Sequence, residues 1–307
     1  MKILLIRNDN IGDLICTTPA IEALRKAHKD ARIDIVVNSL NECVVRGNPF
    51  LNKIYTYTKP KHKKRLFDKI CAFFGKVKIL LQIWREKYDA VVIFRSSYSP
   101  SAAIFALFAR SKMVCGVSGK GSLVTHPVKF DAALHEVELC YLCVEPLGAR
   151  NGGERTLYVP REKDAKFKDF VFFHVSSRVA QNQLDKAKIV QILGFLKANF
   201  KDVVVTAEQS KFGREVAEDA GVNFVPTKSM DELASLLWAA KFALTLDGGV
   251  AHLAPALGIK TVVIFGKTSV ARWAPIYGRA RCAVLQSASR VAQDVANEEI
   301  YEAVKNI

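Results

Sequence analysis

Short apolar runs alternate with amphipathic stretches along the whole chain. In the first half, KILLIR, RIDIVV, KIYTY, AVVIF and MVCGV read as strands. Between them the spacing predicts a helix from about Leu14 to His28, a short helix after RIDIVV, a long helix through Trp84 and another near Ser101 to Ala109. A second series opens with FVFFHV and continues through DVVVTA, VNFV, FALTL and TVVIFG, with helices predicted over Asp185 to Asn199, Lys211 to Ala220, Met230 to Ala240 and Val250 to Leu257. Strands this uniformly apolar are buried on both faces, and their alternation with helices is the signature of parallel βαβ units. The expected class is therefore α/β, with two Rossmann-like doubly wound parallel sheets. Polar sequence with Gly148, Gly152, Gly153 and Pro160 separates the series. The boundaries that follow are residues 1–150, a linker over 151–168, and 169–307.

Composition narrows the class. Half of the 307 residues are apolar and 24% are charged, which is the balance of a folded globular chain. The apolar run at the N-terminus is short and no stretch approaches the ~20 residues needed to cross a bilayer, so a cytoplasmic chain with at most peripheral membrane contact is expected. Seven scattered cysteines argue against a disulfide framework. Cys140 and Cys143 form a CxxC without a second pair, and they read as buried hydrophobes before they read as a zinc or redox site.

Two segments carry candidate chemistry. After FALTL come Asp247, Gly248 and Gly249 and then the helix VAHLAPALG. Glycines at a helix start let backbone amides approach a ligand, and the helix dipole favours phosphate there. Asp247 would repel phosphate, so it is assigned to sugar hydroxyls, with His252 one turn further on reaching the same ligand. The competing reading is a helix cap and a packed histidine. At the start of the chain, KILLIR runs into Asn8-Asp9-Asn10-Ile11-Gly12-Asp13. A carboxylate near a helix N-terminus is held ionised, which suits a general base and makes Asp13 the candidate; capping is again the alternative. Neither GxGxxG after the first strand nor GxxxxGK[ST] occurs, which removes the usual warrant for hydride transfer or NTP hydrolysis.

The pairing of RNDNIGDLICTTPAIEALR with LTLDGGVAHLAPALGIKTVVIFGKTSVARWAPIYG resembles the glycosyltransferase family 9 heptosyltransferases of lipopolysaccharide core synthesis. LHEVELCYLCVEPLG and FFHVSSR resemble that family's histidine-glutamate-valine helix and its hydroxyl loop. The resemblance implies a GT-B fold: an N-terminal acceptor domain, a C-terminal donor domain and a cleft between them. It implies inverting transfer of L-glycero-D-manno-heptose from an ADP-linked donor, without a metal or other cofactor. Asp13 matches the proposed catalytic aspartate. Asp247, Gly248, Gly249 and His252 match the donor loop, and Ser176 and Ser177 the hydroxyl pair that holds the diphosphate. Three departures stand out. Gly248 replaces a common threonine, Lys267 replaces a proline, and VAQNQLDKAK lacks the phosphate-binding lysine, for which Arg178, Gln181, Lys186 and Lys188 are the substitutes. Glu208, after DVVVTA, is placed to bond a ribose or to sit in solvent.

The formal charge of +15 is concentrated. From Lys59 to Lys87 there are ten basic residues against Asp68 and Glu86, a net +8. This run reads as a solvated helix face, or as an acceptor dock. In the second reading Lys61, Lys63, Lys64 and Arg65 meet the acidic groups of a lipid-linked saccharide of the lipid A-Kdo type, while Leu66, Ile70, Phe73 and Phe74 touch the anionic inner leaflet. Nucleic-acid motifs are absent, and no nucleic-acid partner is expected. The alternatives to heptosyl transfer are a related GT-B enzyme with another nucleotide sugar, or a non-catalytic basic protein that binds acidic lipid or nucleic acid.

Overall fold

A computed structural model describes residues 1–59, 65–119, 123–152, 168–275 and 280–307. Lys61, Lys63, Lys64, most of the 151–168 segment, and Ile276, Tyr277 and Gly278 of the C-terminal motif lie outside the described residues. The chain forms two compact units, one built on the residues up to Gly152 and one on those from Lys168 on.

The first unit contains β1 (Lys2–Ile6), α1 (Ile11–Ala27), β2 (Arg32–Asn38), β3 (Lys53–Tyr57), α2 (Leu66–Glu86), β4 (Ala90–Ile93), α3 (Pro100–Ala109), β5 (Met113–Val117), β6 (His126–Val128) and α4 (Glu136–Val144). The sheet order is β3-β2-β1-β4-β5-β6, and every pairing is parallel. The second unit contains β7 (Phe170–His174), α5 (Lys186–Asn199), β8 (Val203–Thr206), α6 (Ser210–Ala220), β9 (Asn223–Phe224), α7 (Met230–Trp238), β10 (Ala240–Leu246), α8 (Gly249–Ala256), β11 (Thr261–Phe265), α9 (Val270–Trp273), β12 (Cys282–Gln286) and α10 (Asn297–Asn306). Its order is β12-β11-β10-β7-β8-β9, again all parallel.

Read from the first strand of each unit, both sheets have the same winding: two strands added on one side, then a return to the other. That winding opens a crevice at the carboxyl ends of the two strands where the direction reverses, β1 and β4 in one unit and β7 and β10 in the other. The strands beside each crevice have buried apolar interiors, Leu4, Leu5, Ile6, Val91 and Val92 in the first, Phe172, Phe173, Leu244 and Leu246 in the second. Rigid strands thus end abruptly in polar loops, and those loops hold the candidate chemistry.

Two details depart from the sequence pattern. The short helix after RIDIVV is a single 3-10 turn, Glu42–Val44. The edge strands β6 and β12 carry weak signals because they are short or half-exposed. The strand before Asp247 ends at Leu246, and Asp247 opens the loop as the pattern predicts.

Candidate active site

In the first unit β1 delivers Arg7, whose side chain is 1% exposed. Nη2 donates to Asp13 Oδ1 at 2.9 Å and to Glu136 Oε1 at 2.7 Å, and Nη1 donates to the Phe94 carbonyl just past β4. Nε lies 3.0 Å from Asp9 Oδ1, and Arg95 Nη1 approaches Asp9 Oδ2 at 3.4 Å. Burial opposes the charge on Arg7, yet Asp9, Asp13 and Glu136 hold it above the ordinary arginine range. Burial likewise pushes Asp9 up to about 6, against the pull of Arg7 and with Asp13 adding repulsion.

The loop itself is fixed from the neighbouring strand. Asn38 Nδ2 donates to the Asp9 carbonyl and Asn41 Nδ2 to the Arg7 carbonyl. Asn10 is the N-cap of α1 and makes no side-chain cap bond, while Asp13 stands in the first turn. Asp13 is therefore not the N-cap residue. Its Oδ1 turns to a guanidinium, and an opposite charge at that distance stabilises the carboxylate form. Glu136 is 1% exposed and opens α4, where His135 accepts from the Val137 amide as cap. Cys140, one turn along α4, meets Thr17 Oγ1 at 3.5 Å, and burial holds the thiols of Cys140 and Cys143 protonated, Cys143 at about 12. Cys140 packs against α1, and Cys143 is buried on the same helix.

The second unit builds its crevice from four loops. Ser177 Oγ donates to the Asp247 carbonyl at 2.8 Å, tying the loop after β7 to the loop after β10 across the switch point. Ser176 Oγ accepts from the Glu208 amide at 3.0 Å, which brings in the loop after β8. Arg178 pairs with Glu208 at 3.1 Å, and both side chains are exposed. Asn182, fully buried, knits the rest. Its Nδ2 donates to Asp247 Oδ2 at 2.7 Å and to Thr268 Oγ1 at 2.9 Å, and its Oδ1 accepts from the Lys267 amide at 2.9 Å. The amide orientation is forced, because only Oδ1 can accept from a backbone N–H. Gly266, at the end of β11, is under the same loop: a Cβ there would stand 1.9 Å from the Gln181 carbonyl oxygen.

Two of the expected donor-site residues are buried. Asp247 is 7% exposed; burial raises its pKa, and bonds from Thr268, Asn182 and the Gly248 amide hold it down in part. Its Oδ2 braces the loop from within by accepting from Asn182. His252 is 4% exposed with its ring edge-on to Trp273, centroids 5.9 Å apart. The open part of the loop is backbone: Gly248 is exposed, Gly249 is half-buried, and α8 starts there. Of the proposed lysine substitutes, Lys188 donates its ammonium to the carbonyls of Gln293 and Val295, and Lys186 pairs with Asp219 at 2.8 Å. Arg178 stands in the crevice loop with an exposed guanidinium, and the Gln181 side chain is exposed beside it. Arg65, the only described member of the basic quartet, is exposed at the start of α2.

Sequence reasoning missed Arg7, Asp9, Glu136, Asn182 and Thr268. An arginine closing an otherwise apolar strand and a glutamate inside an apolar helix were the available signals.

Two doubly wound parallel-sheet units are the architecture of the GT-B glycosyltransferases, and here a buried acid–guanidinium cluster stands at one switch point and an open helix N-terminus at the other. The family model for glycosyltransferase family 9 (heptosyltransferase) matches residues 183–302. The chain is 26% identical over 290 residues to lipopolysaccharide heptosyltransferase 3 of Escherichia coli, covering 86% of this chain and 83% of the relative. The chain is thus similar to glycosyltransferase family 9 over most of its second unit and to a lipopolysaccharide heptosyltransferase over most of its length. Its fold is shared with the family 9 glycosyl transferase of Veillonella parvula, with a TM-score of 0.83 and 17% identity over 99% of this chain and 96% of that one. It is also shared with the E. coli heptosyltransferase WaaC solved with ADP-2-deoxy-2-fluoro heptose, with a TM-score of 0.78 and 16% identity over 100% and 99%.

Proposed function

We propose that this chain is an inverting heptosyltransferase that uses an ADP-linked heptose and extends the inner core of a lipopolysaccharide or lipooligosaccharide. The observation that carries the reading is the placement of Asp13: a carboxylate on rigid structure at the β1/β4 switch point, with one oxygen fixed by Arg7. The names of the curated relatives and the ADP-heptose analogue bound to WaaC support the donor and the acceptor class.

In this reading the first unit binds the acceptor and the second binds the donor. Asp13 accepts the proton of an acceptor hydroxyl as its oxygen attacks the anomeric carbon from the face opposite the nucleotide. The bond from that carbon to the phosphate oxygen breaks, and ADP leaves with the electron pair. The amides at Gly248 and Gly249, the Ser176 and Ser177 hydroxyls and Arg178 meet the negative charge that builds on the diphosphate. Glu208 exchanges its contact with Arg178 for the ribose hydroxyls. Gln181 lies beside the same phosphates.

Thermal unfolding with ADP, UDP, GDP and their sugars tests the donor, because a ligand that binds the native state raises its stability. Selective stabilisation by adenosine compounds is expected, and selectivity for uridine or guanosine compounds would refute the heptose assignment. Asp13→Asn should keep the ADP-induced shift and lose roughly 10²- to 10⁴-fold in turnover, the usual contribution of a general base. Transfer near the parent rate would remove Asp13 from the chemistry.

A further inference from the structure

Helix α2 has two apolar faces, and the fold uses one. Ala72, Leu80 and Ile83 are buried against the first unit. Leu66, Ile70, Phe73 and Trp84 repeat at spacings of four, three and eleven residues, with Phe67 and Phe74 beside them, and all six are exposed. At 3.6 residues per turn the two stripes are centred roughly 120° apart, with Phe67 and Phe74 turned furthest from the buried side. Phe67 is 73% exposed, Phe74 64% and Phe73 57%. Of fifteen exposed large hydrophobics among the described residues, seven lie on α2 and two more, Ile104 and Leu107, on its neighbour α3. Only Val179 belongs to the second unit, so this is a localised patch and not a general property of the surface.

Charge identifies the occupant. On the helical wheel Lys69 borders the exposed stripe on one side and Lys78 and Arg85 on the other, whereas Asp68 and Glu86 project well away from it. Glu86 is in addition neutralised by Lys2 at 3.2 Å and Arg32 at 2.9 Å. An apolar stripe with aromatic residues, framed by cations, is the pattern of a helix lying in the headgroup region of an anionic bilayer. A second copy of the chain would bring like-charged rims together. None of the described helices is long and apolar enough to cross a membrane, so contact would be in-plane.

We infer that the exposed stripe of α2 docks on an anionic lipid surface and holds the acceptor site at that surface. The link to the site is topological. In a parallel sheet each helix begins at the carboxyl edge of the strand before it, so the first turns of α2, after β3, stand at the edge where Asp13 follows β1. Five of the six stripe residues, Leu66, Phe67, Ile70, Phe73 and Phe74, fall in those first turns. A lipid-linked acceptor is thereby reached while its acyl chains stay in the bilayer. The second half of the inference rests on the acceptor class proposed above; the first half does not.

Flotation of the full chain with phosphatidylglycerol–phosphatidylcholine vesicles and with phosphatidylcholine vesicles tests the surface. The expected result is binding to the anionic vesicles only, weakened by salt, and reduced at least about tenfold in the double variant Phe73→Glu/Phe74→Glu. Both rings are exposed, so the variant should unfold at the parent temperature. Parent-like vesicle binding by the variant would overturn the proposal. So would a parent dimer in sedimentation equilibrium that the variant dissociates, since the stripe would then be a self-association face. In a transfer assay, the variant should match the parent on a deacylated, soluble acceptor and fall behind on the same acceptor anchored in vesicles. Equal loss on both acceptors would detach the stripe from acceptor delivery. Failure of the parent on every heptose acceptor would refute the proposed function and leave the vesicle result standing.

Discussion

Asn182 offers the sharpest test of the donor crevice, because one side chain joins three loops. Asn182→Ala removes a bond to the Asp247 carboxylate, a bond to Thr268 and the acceptor for the Lys267 amide. A bond to a charged group contributes about 1.5–3 kcal/mol and each neutral one about 1 kcal/mol, which sums to about 4 kcal/mol for a fully buried residue. Water entering the vacated space recovers part of this, so a loss of at least about 2 kcal/mol is expected. Asp247 keeps its bonds from Thr268 and the Gly248 amide, so the loop loosens without detaching. Urea unfolding followed by tryptophan fluorescence reports the effect, since Trp238 and Trp273 lie in the second unit and Trp84 in the first. The isosteric Asn182→Asp separates charge from shape. It sets a second carboxylate 2.7 Å from Asp247 Oδ2 while retaining the acceptor for Lys267. Like charges that close raise the proton affinity of the pair. A folded-state pKa raised above its unfolded value makes the defect full at high pH, and the defect shrinks as pH falls through the raised value. Both variants should also lose much of the ADP-induced thermal shift. Unfolding of Asn182→Ala within about 1 kcal/mol of the parent, with an unchanged ADP shift, would refute the brace.

Other residues give independent checks. Burial lowers His174 to about 4, so it folds neutral beside Thr206 Oγ1 at 2.9 Å. The unfolded chain takes up its proton as pH falls below the ordinary 6.5, so stability is full above that value and declines by about 3 kcal/mol as pH approaches 4. His174→Asn should flatten that limb in urea titrations of the second unit across the same range; an unchanged slope would place the titration elsewhere. Two glycines should respond in opposite ways. Gly266→Ala drives a Cβ into the Gln181 carbonyl and should cost about 3 kcal/mol by chemical denaturation. Gly248→Thr meets extended backbone, φ 164°, with its nearest neighbour 4.0 Å away, and should stay within about 0.5 kcal/mol of the parent without raising the donor KM. Arg178→Ala should raise the donor KM by about tenfold in steady-state kinetics and leave unfolding unchanged, because the guanidinium of the free protein sits in an exposed pair with Glu208, which adds little to stability.

The sequence pattern and the structure agree where information is local. KILLIR and FALTL are legible because a strand buried on both faces must be continuously apolar, and the glycine-opened start of α8 is legible because turn, amides and helix lie within a few residues. Strands β6 and β12 are not, since three or five half-exposed edge residues carry neither a run nor an alternation. The polar braces escape for a different reason. Arg7 and Glu136 are 129 residues apart, and Asn182 and Thr268 are 86 apart. Their pairing follows from strand order, which one sequence does not encode in any local signal. Asp247 and His252 show the consequence: nothing local in the sequence signals that Asn182 braces the one and Trp273 packs on the other.

The same strand order explains the composition of the acidic cluster. A structural ion pair at the β1/β4 crevice would need one carboxylate for Arg7, and the loop supplies Asp9, the first turn of α1 Asp13 and α4 Glu136. An excess of buried negative charge is costly, which is why burial and repulsion push Asp9 up to about 6 even beside a guanidinium. The arrangement divides the labour. Glu136 and the Phe94 carbonyl are inside and fix the guanidinium plane, and that plane in turn fixes one oxygen of Asp13 at the rim, where the side chain keeps 17% of its exposure. Arg7 is shared among three acids, and Arg95 adds a second cation at Asp9. Asp13 is thus aimed through one oxygen by an ion pair on rigid structure, the placement that the proposed role of proton acceptor requires.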